Sequence, residues 1–217
     1  MRRAMKSRHR ASTGLMLIAA GLLGACASFQ GGEQLPASTS YGSQTTSPDQ
    51  YNYLIGPGDQ VQIFVWRNPE VSQSVTVRPD GKISTPLVED LQASGKTPTQ
   101  LARDLEKALE TYIRQPIVTV IVAGGIGPYS EQIRVVGQAA KPQAIAYKRK
   151  MTLLDVMIAV GGLTEFADGN NAKVVRIVDG EQKEYVARVD DLLNDGDINA
   201  NVDMLPGDIL IIPESWF

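Results

Sequence analysis

Few side chains in this sequence have the chemistry of a nucleophile, a base or a metal ligand. The 217 residues hold one histidine, His9, and one cysteine, Cys26. Cys26 closes the run Leu23-Gly24-Ala25-Cys26, in which small residues lead up to a thiol. Upstream lie Arg2, Arg3, Lys6, Arg8 and Arg10, and then the apolar run Gly14 to Leu23. A basic head, a short apolar run and a small-residue exit make a signal peptide. A cysteine at that exit matches the bacterial lipobox, whose thiol is lipidated before the chain is cut, here between Ala25 and Cys26. The apolar run is about ten residues where a bilayer span takes about twenty, so it reads as a cleaved signal and not as a permanent transmembrane helix. Each buried CH₂ of an acyl chain contributes about 0.8 kcal/mol, so two or three chains on Cys26 hold the protein to a membrane almost permanently. The residue after the cysteine is Ala27, not the aspartate that retains such lipoproteins in the inner membrane. The sorting rule therefore predicts an outer-membrane anchor with a periplasmic body.

Loss of residues 1–25 removes His9, and lipidation consumes the thiol. The mature chain then has neither imidazole nor free sulfhydryl, which excludes Ser-His-Asp and Cys-His catalysis as well as His/Cys metal sites. No metal and no cofactor are expected, and no disulfide can form within one chain. The cut also removes five basic and no acidic residues, leaving 16 basic against 24 acidic, a net charge of −8 in place of −3. An acidic body argues against a nucleic-acid partner. Asp59 and Asp208 are the two carboxylates whose contexts match, in Gly56-Pro57-Gly58-Asp59 and Leu205-Pro206-Gly207-Asp208. A carboxylate pair can hydrolyse glycosides, but a carboxylate after Pro-Gly is placed to cap the turn's own N–H groups. The turn reading is preferred, and the chain is not expected to be an enzyme. Lys148-Arg149-Lys150 has the charge to touch an acidic sugar or a lipid headgroup, against the plainer reading of a solvated loop. Trp66, Tyr129, Tyr147 and Trp216 have rings that can stack on sugars, against the plainer reading of core or subunit contact.

The elements that must position these residues follow from pattern. Residues 27–52 carry Ser, Thr, Gly or Gln at fifteen of twenty-six positions with no apolar period, the composition of a flexible tether. As a random coil it spans about 25–30 Å. Pro57 fixes φ and Gly58 accepts φ > 0, which ends this tail and launches a strand over Gln60 to Trp66 with Val61, Ile63 and Val65 on one face. Val75 to Ile83 reads as a hairpin around Asp80-Gly81. Thr97-Pro98-Thr99-Gln100 opens a helix with a capping box and proline at its first position. Leu101, Leu105, Leu109 (or Ala108) and Tyr112 form its apolar stripe, and Pro116 ends it. Ile117 to Val122 is expected as a buried strand. Gly124-Gly125-Ile126-Gly127-Pro128 is a break, without the spacing of a phosphate loop. Beyond it come a strand over Ile133 to Gly137, a short helix after Thr152 carrying Leu153, Leu154, Met157 and Ile158, and closure of that helix at Gly161-Gly162. An Asp179-Gly180 hairpin joins Lys173–Val178 to Lys183–Val189, and the second Pro-Gly-Asp turn launches Ile209 to Ile212. The fold class is α+β, in two small mixed units.

Taken in order, these residues resemble the bacterial outer-membrane polysaccharide export (OPX) lipoproteins. The export domain is carried by Tyr53-Leu54-Ile55-Gly56-Pro57-Gly58-Asp59, by Val77-Arg78-Pro79-Asp80-Gly81-Lys82-Ile83, by Pro86-Leu87 and by Gly95-Lys96-Thr97. The second unit resembles the SLBB domain, a β-grasp module, through Val135-Val136-Gly137, Thr152-Leu153-Leu154-Asp155 and Gly161-Gly162-Leu163-Thr164. The ending Asn201 to Phe217 is most similar to the branch found beside XrtA/PEP-CTERM exopolysaccharide loci. The resemblance implies a signal peptide over 1–25, a lipidated cysteine and linker over 26–52, the export domain over 53–123, an SLBB domain over 130–213 and a tail over 214–217. It further implies a homo-oligomeric ring through which an exopolysaccharide leaves, working with an inner-membrane polysaccharide co-polymerase. The best-known relatives cross the outer membrane with a C-terminal amphipathic helix. Here Glu214 to Phe217 follow the last strand, too few for a span, so a ring that does not perforate a bilayer alone is expected. Two other functions compete with the conduit, a surface-tethered glycan-binding lipoprotein without a transport role and a polymer-trimming hydrolase.

Overall fold

The computed structural model describes residues 42–43 and 45–216, which belong to one compact unit. The expected signal peptide, the expected cleavage and lipidation site at Ala25-Cys26, and Phe217 lie outside the described residues. The first half builds β1 (Gln60–Val65), β2 (Gln73–Thr76), β3 (Lys82–Thr85), β4 (Val88–Gln92), α1 (Pro98–Leu109) and β5 (Val118–Gly124). β1 is the centre of an antiparallel sheet in the order β2-β1-β5. Its alternation sends Val61, Ile63 and Val65 inward against Leu101, Leu105 and Leu109 of α1 and Val118 and Val120 of β5, all buried. Burying each such side chain contributes about 1.5–3 kcal/mol, and that drives α1 onto the sheet. The helix begins as its sequence dictates. Thr97 accepts from the Gln100 N–H (3.2 Å) while the Gln100 side chain accepts from the Thr97 N–H (2.8 Å).

Three expectations for this half are corrected. The Asp80-Gly81 turn closes, with the Arg78 N–H on the Lys82 carbonyl (2.9 Å), but its arms do not form a hairpin. β2 pairs with β1 and β3 pairs with β4, a strand the sequence reading left unassigned, because Val77, next in from the turn, gives its N–H to the Asp59 carbonyl and its carbonyl to the Gly58 N–H. α1 ends at Leu109, well before Pro116. The chain turns there and packs Ile113 against the core, leaving Tyr112 61% exposed. β5 is half-buried where a fully buried strand was expected, since Ile117 and Ile121 face outward.

The second half builds β6 (Gln132–Gly137), β7 (Ala144–Ala146), α2 (Leu153–Val160), β8 (Ala172–Val178), β9 (Glu181–Ala187), α3 (Val189–Leu193) and β10 (Ile209–Ile212). The sheet order is β7-β6-β10-β8-β9, so the last strand of the chain is the middle strand of its sheet. β10 runs parallel to β6 and antiparallel to β8, and its Leu210 and Ile212 are buried among Ile133, Val135 and Val174. α2 opens with Asp155 accepting from the Thr152 N–H (2.9 Å) and closes at Gly161 in the left-handed region. Leu153, Val156, Met157 and Val160 form its buried stripe, whereas Ile158 faces solvent. The Asp179-Gly180 hairpin forms in register, Val178 opposite Glu181, but β9 stops at Ala187 and α3, unassigned from sequence, begins at Val189. The fold class is α+β with two small mixed units, each around its own hydrophobic core. No helix among the described residues is long and apolar enough to cross a membrane.

Candidate functional site

The two Pro-Gly-Asp turns have one construction. In the first, the Asp59 N–H bonds the Gly56 carbonyl (3.2 Å), and the Asp59 carboxylate reaches back to accept from the Gly56 N–H (2.8 Å). In the second, the Asp208 N–H bonds the Leu205 carbonyl (3.2 Å), and the carboxylate accepts from the Leu205 N–H (2.7 Å). Gly58 and Gly207 both stand at φ 88°, a conformation that side chains with a Cβ rarely adopt. Each turn also stitches the strand it launches to a neighbour: the Gly58 N–H bonds the Val77 carbonyl (2.9 Å), and the Gly207 N–H bonds the Gln132 carbonyl (3.1 Å).

Both carboxylates are buried, and each is compensated differently. Asp208 meets the Arg176 guanidinium side-on, Nε to Oδ1 at 2.8 Å and Nη2 to Oδ2 at 2.7 Å, a bidentate charge-assisted pair. That pairing raises the Arg176 pKa. Among the described residues Asp59 has no such cation. It accepts from the Tyr53 hydroxyl and from the N–H groups of Gly56 and Gly127 (3.3 Å). Burial first, and then the hydrogen bond to Asp59, push the Tyr53 phenol well above its ordinary pKa. The two aspartates are thus not brought together as an acid/base pair. Each spends its lone pairs holding one turn.

The Asp59 turn extends into a junction between the halves. The stretch expected as a simple break, Gly124 to Pro128, folds back so tightly that a Cβ on Gly56 would lie 2.2 Å from the Gly127 carbonyl carbon. Gln132, also buried, donates its side-chain amide to the Gly127 carbonyl (2.8 Å). Next to it Glu131 is buried and accepts from the Ser43 hydroxyl (2.9 Å). Part of the stretch read as tether therefore lies against the body. Pro48–Gln50 form a turn of 3-10 helix, and the Tyr51 ring packs edge-on against Tyr147 with centroids 4.8 Å apart. Burial, followed by the nearby Glu131 charge, pushes the Tyr51 phenol up to about 12.

The remaining sequence candidates are scattered. Lys148, Arg149 and Lys150 are exposed beside a depression of about 450 Å³ floored by Ile145, Met151 and Ile158. Lys150 pairs with Asp49 (2.9 Å), and Arg149 donates to the Asp49 carbonyl. Of the four aromatic candidates only Tyr147 is in a core, whereas Trp66, Tyr129 and Trp216 are exposed, Trp216 at 95%. Sequence reasoning quoted Tyr53 in its motif without a role for the hydroxyl, and missed Arg176, Glu131 and Gln132, which compensate the second turn and build the junction. For the three that were missed, the one signal available was a buried-strand pattern interrupted by Arg176.

Comparison with known proteins bears on the same two modules. Residues 47–123 match the family described as polysaccharide biosynthesis/export protein, and residues 132–187 match the SLBB domain. EPS I polysaccharide export outer membrane protein EpsA of Ralstonia solanacearum is 26% identical over 182 residues, 73% of this chain and 47% of its own length. Capsule polysaccharide export outer membrane protein CtrA of Neisseria meningitidis serogroup A is 28% identical over 167 residues, 65% of this chain and 42% of its own. Exopolysaccharide production protein ExoF of Rhizobium meliloti is 26% identical over 146 residues, 62% and 34%. The chain thus aligns with about half or less of the length of the curated relatives it matches. The first module carries the Tyr53-to-Asp59 turn and the second is closed by the matching turn at Asp208, and in both modules, in that order, the chain is similar to the polysaccharide export (OPX) proteins.

Proposed function

We propose that this protein is the outer-membrane component of an exopolysaccharide export apparatus. In this reading it is anchored through lipid on Cys26, assembles into a ring, and passes polymer delivered by an inner-membrane co-polymerase. The observation that carries the reading is the succession of an export module and an SLBB module in one compact unit. Relatives matching over most of this chain are named as polysaccharide export outer membrane proteins. The geometry supports it in kind: Asp59 and Asp208 are bound into turns, where they organise backbone. A conduit needs walls, not an acid, a base or a nucleophile.

The test is genetic. Deleting the gene in its own strain should leave polymer inside the envelope, and the intact gene should restore it to the medium. Normal extracellular polymer in the deletion strain would overturn the reading. A deletion that leaves export intact but strips polymer from the cell surface would identify the chain as a tethered glycan-binding lipoprotein.

A further inference from the structure

One face of the β2-β1-β5 sheet packs on α1; the other is open. Register places Gln62 between Ser74 on β2 and Ile121 on β5, and Phe64 opposite Thr119, all exposed. Just past the end of β1, the Trp66 N–H bonds the Ile117 carbonyl (2.9 Å). Phe64 is 45% exposed and Trp66 54%, with ring centroids 6.4 Å apart and planes at 64°. This face therefore offers amides and hydroxyls along the strands and an angled pair of aromatic rings at one end, and among the described residues its outward strand positions carry no charged side chain.

Charge enters only where the face ends. Arg67 follows Trp66, and Arg114 lies three residues before Ile117, so the backbone pairing of Trp66 with Ile117 sets both arginines at the aromatic end. Both are exposed, and among the described residues neither takes part in an ion pair. Glu70, the acidic residue nearest Arg67 in sequence, is held by the Asn68 amide (3.0 Å). Arg67 (φ 62°) and Gln115 (φ 51°) also hold left-handed backbone on the two strands' adjoining ends. Strain of that kind in non-glycine residues is retained where the surroundings fix it, and it gathers at ligand-binding sites.

We propose that this face binds a segment of carboxylate-bearing polysaccharide. A sugar ring has apolar C–H faces and a hydroxyl edge, and the face has the complement of each: rings for the C–H surface, and Gln62, Ser74 and Thr119 for the hydroxyls. β1 is six residues long, about 20 Å, room for several sugars in an extended chain. The two arginines set the substrate class. A body with net charge −8 after signal removal repels an acidic polymer, so an acidic polymer is held where unpaired cations face outward. This inference rests on the export reading and adds to it the charge of the polymer and the place where it is held.

The test uses the full lipidated chain in detergent, titrated calorimetrically with oligosaccharides of polygalacturonate and, as the neutral counterpart, dextran. The wild type should prefer polygalacturonate, and added salt should weaken that binding. Trp66→Ala should weaken it about tenfold. Arg67→Ala with Arg114→Ala should remove the preference over dextran, at a cost of roughly fivefold to tenfold on the acidic probe. Circular dichroism establishes that each variant is folded. Wild-type affinity in both variants, or no preference in the wild type, overturns the proposal. Unchanged binding by Trp66→Ala with a smaller particle in light scattering overturns it too, and assigns the face to contact with a second copy. If export depends on the gene while Trp66→Ala both binds and exports normally, this inference fails and the export reading stands. If the deletion strain exports normally, it is the export reading that fails.

Discussion

Gly58 and Gly207 hold the same φ of 88° in matching turns, yet their surroundings differ. Nothing lies near a Cβ built on Gly58, whereas one built on Gly207 would come 2.7 Å from the Ser130 carbonyl oxygen. Gly58→Val should therefore cost about 1–3 kcal/mol from backbone strain alone, and Gly207→Val should cost more, because the turn must also move. Chemical denaturation of both variants measures the order, and equal midpoints would count against it. The aspartates that close these turns differ in the same way. Asp208 is fully buried and depends on Arg176, so Arg176→Met leaves an uncompensated carboxylate and should destabilise by about 3–5 kcal/mol. Arg78→Met breaks two pairs whose members are largely exposed and solvent-screened, and should cost far less than Arg176→Met. A similar loss in both variants would show that Asp208 finds another partner.

Among the elements, α1 rests on local signals and β10 on tertiary ones. The Thr97 hydroxyl and the Gln100 amide satisfy N–H groups that the helix cannot satisfy itself, so Thr97→Ala should lower stability by about 1 kcal/mol, read from the melting temperature. An unchanged melting temperature would mean that core burial alone sets the start of the helix. This division explains which parts of the fold were legible in the sequence. β1, α1, α2 and the Asp179-Gly180 hairpin were readable because a period, a cap or a turn dipeptide fixes each within a few residues. The choice of partner strand was not. Val75 to Ile83 has the local form of a hairpin, but β2 instead takes the edge of β1 as its antiparallel partner, a pairing between segments that no local pattern specifies. Tyr112 continues the helical period, yet the chain buries Ile113 instead. The junction was illegible for the same reason: Gly127 and Asp59 meet across 68 residues, and a run of glycines reads as slack until the backbone packed against it is known.

At the scale of the whole molecule, the two modules have separate cores, and both are filled by side chains. Ile63, Leu101 and Leu105 meet at the centre of one, and Ile133, Met157 and Leu210 at the centre of the other. A packed interior has few voids larger than a water molecule, so neither module encloses a passage for a sugar chain. In the proposed reading, polymer therefore passes between copies. Closed homo-oligomers built from a head-to-tail contact are rings, and lipid on Cys26 would confine the copies to one membrane surface, raising their effective concentration. Two outcomes follow. Cys26→Ser should move the body from the membrane to the soluble periplasmic fraction, or leave it with the inner membrane if the signal is not cut. Fatty-acid labelling that persists in that variant would refute the anchor. The lipidated wild type, extracted in detergent, should scatter as a multi-subunit particle and appear as rings in projection images. A monomer at every concentration would leave the polymer no wall to pass through, and would turn the reading from a conduit to a tethered module that only holds it.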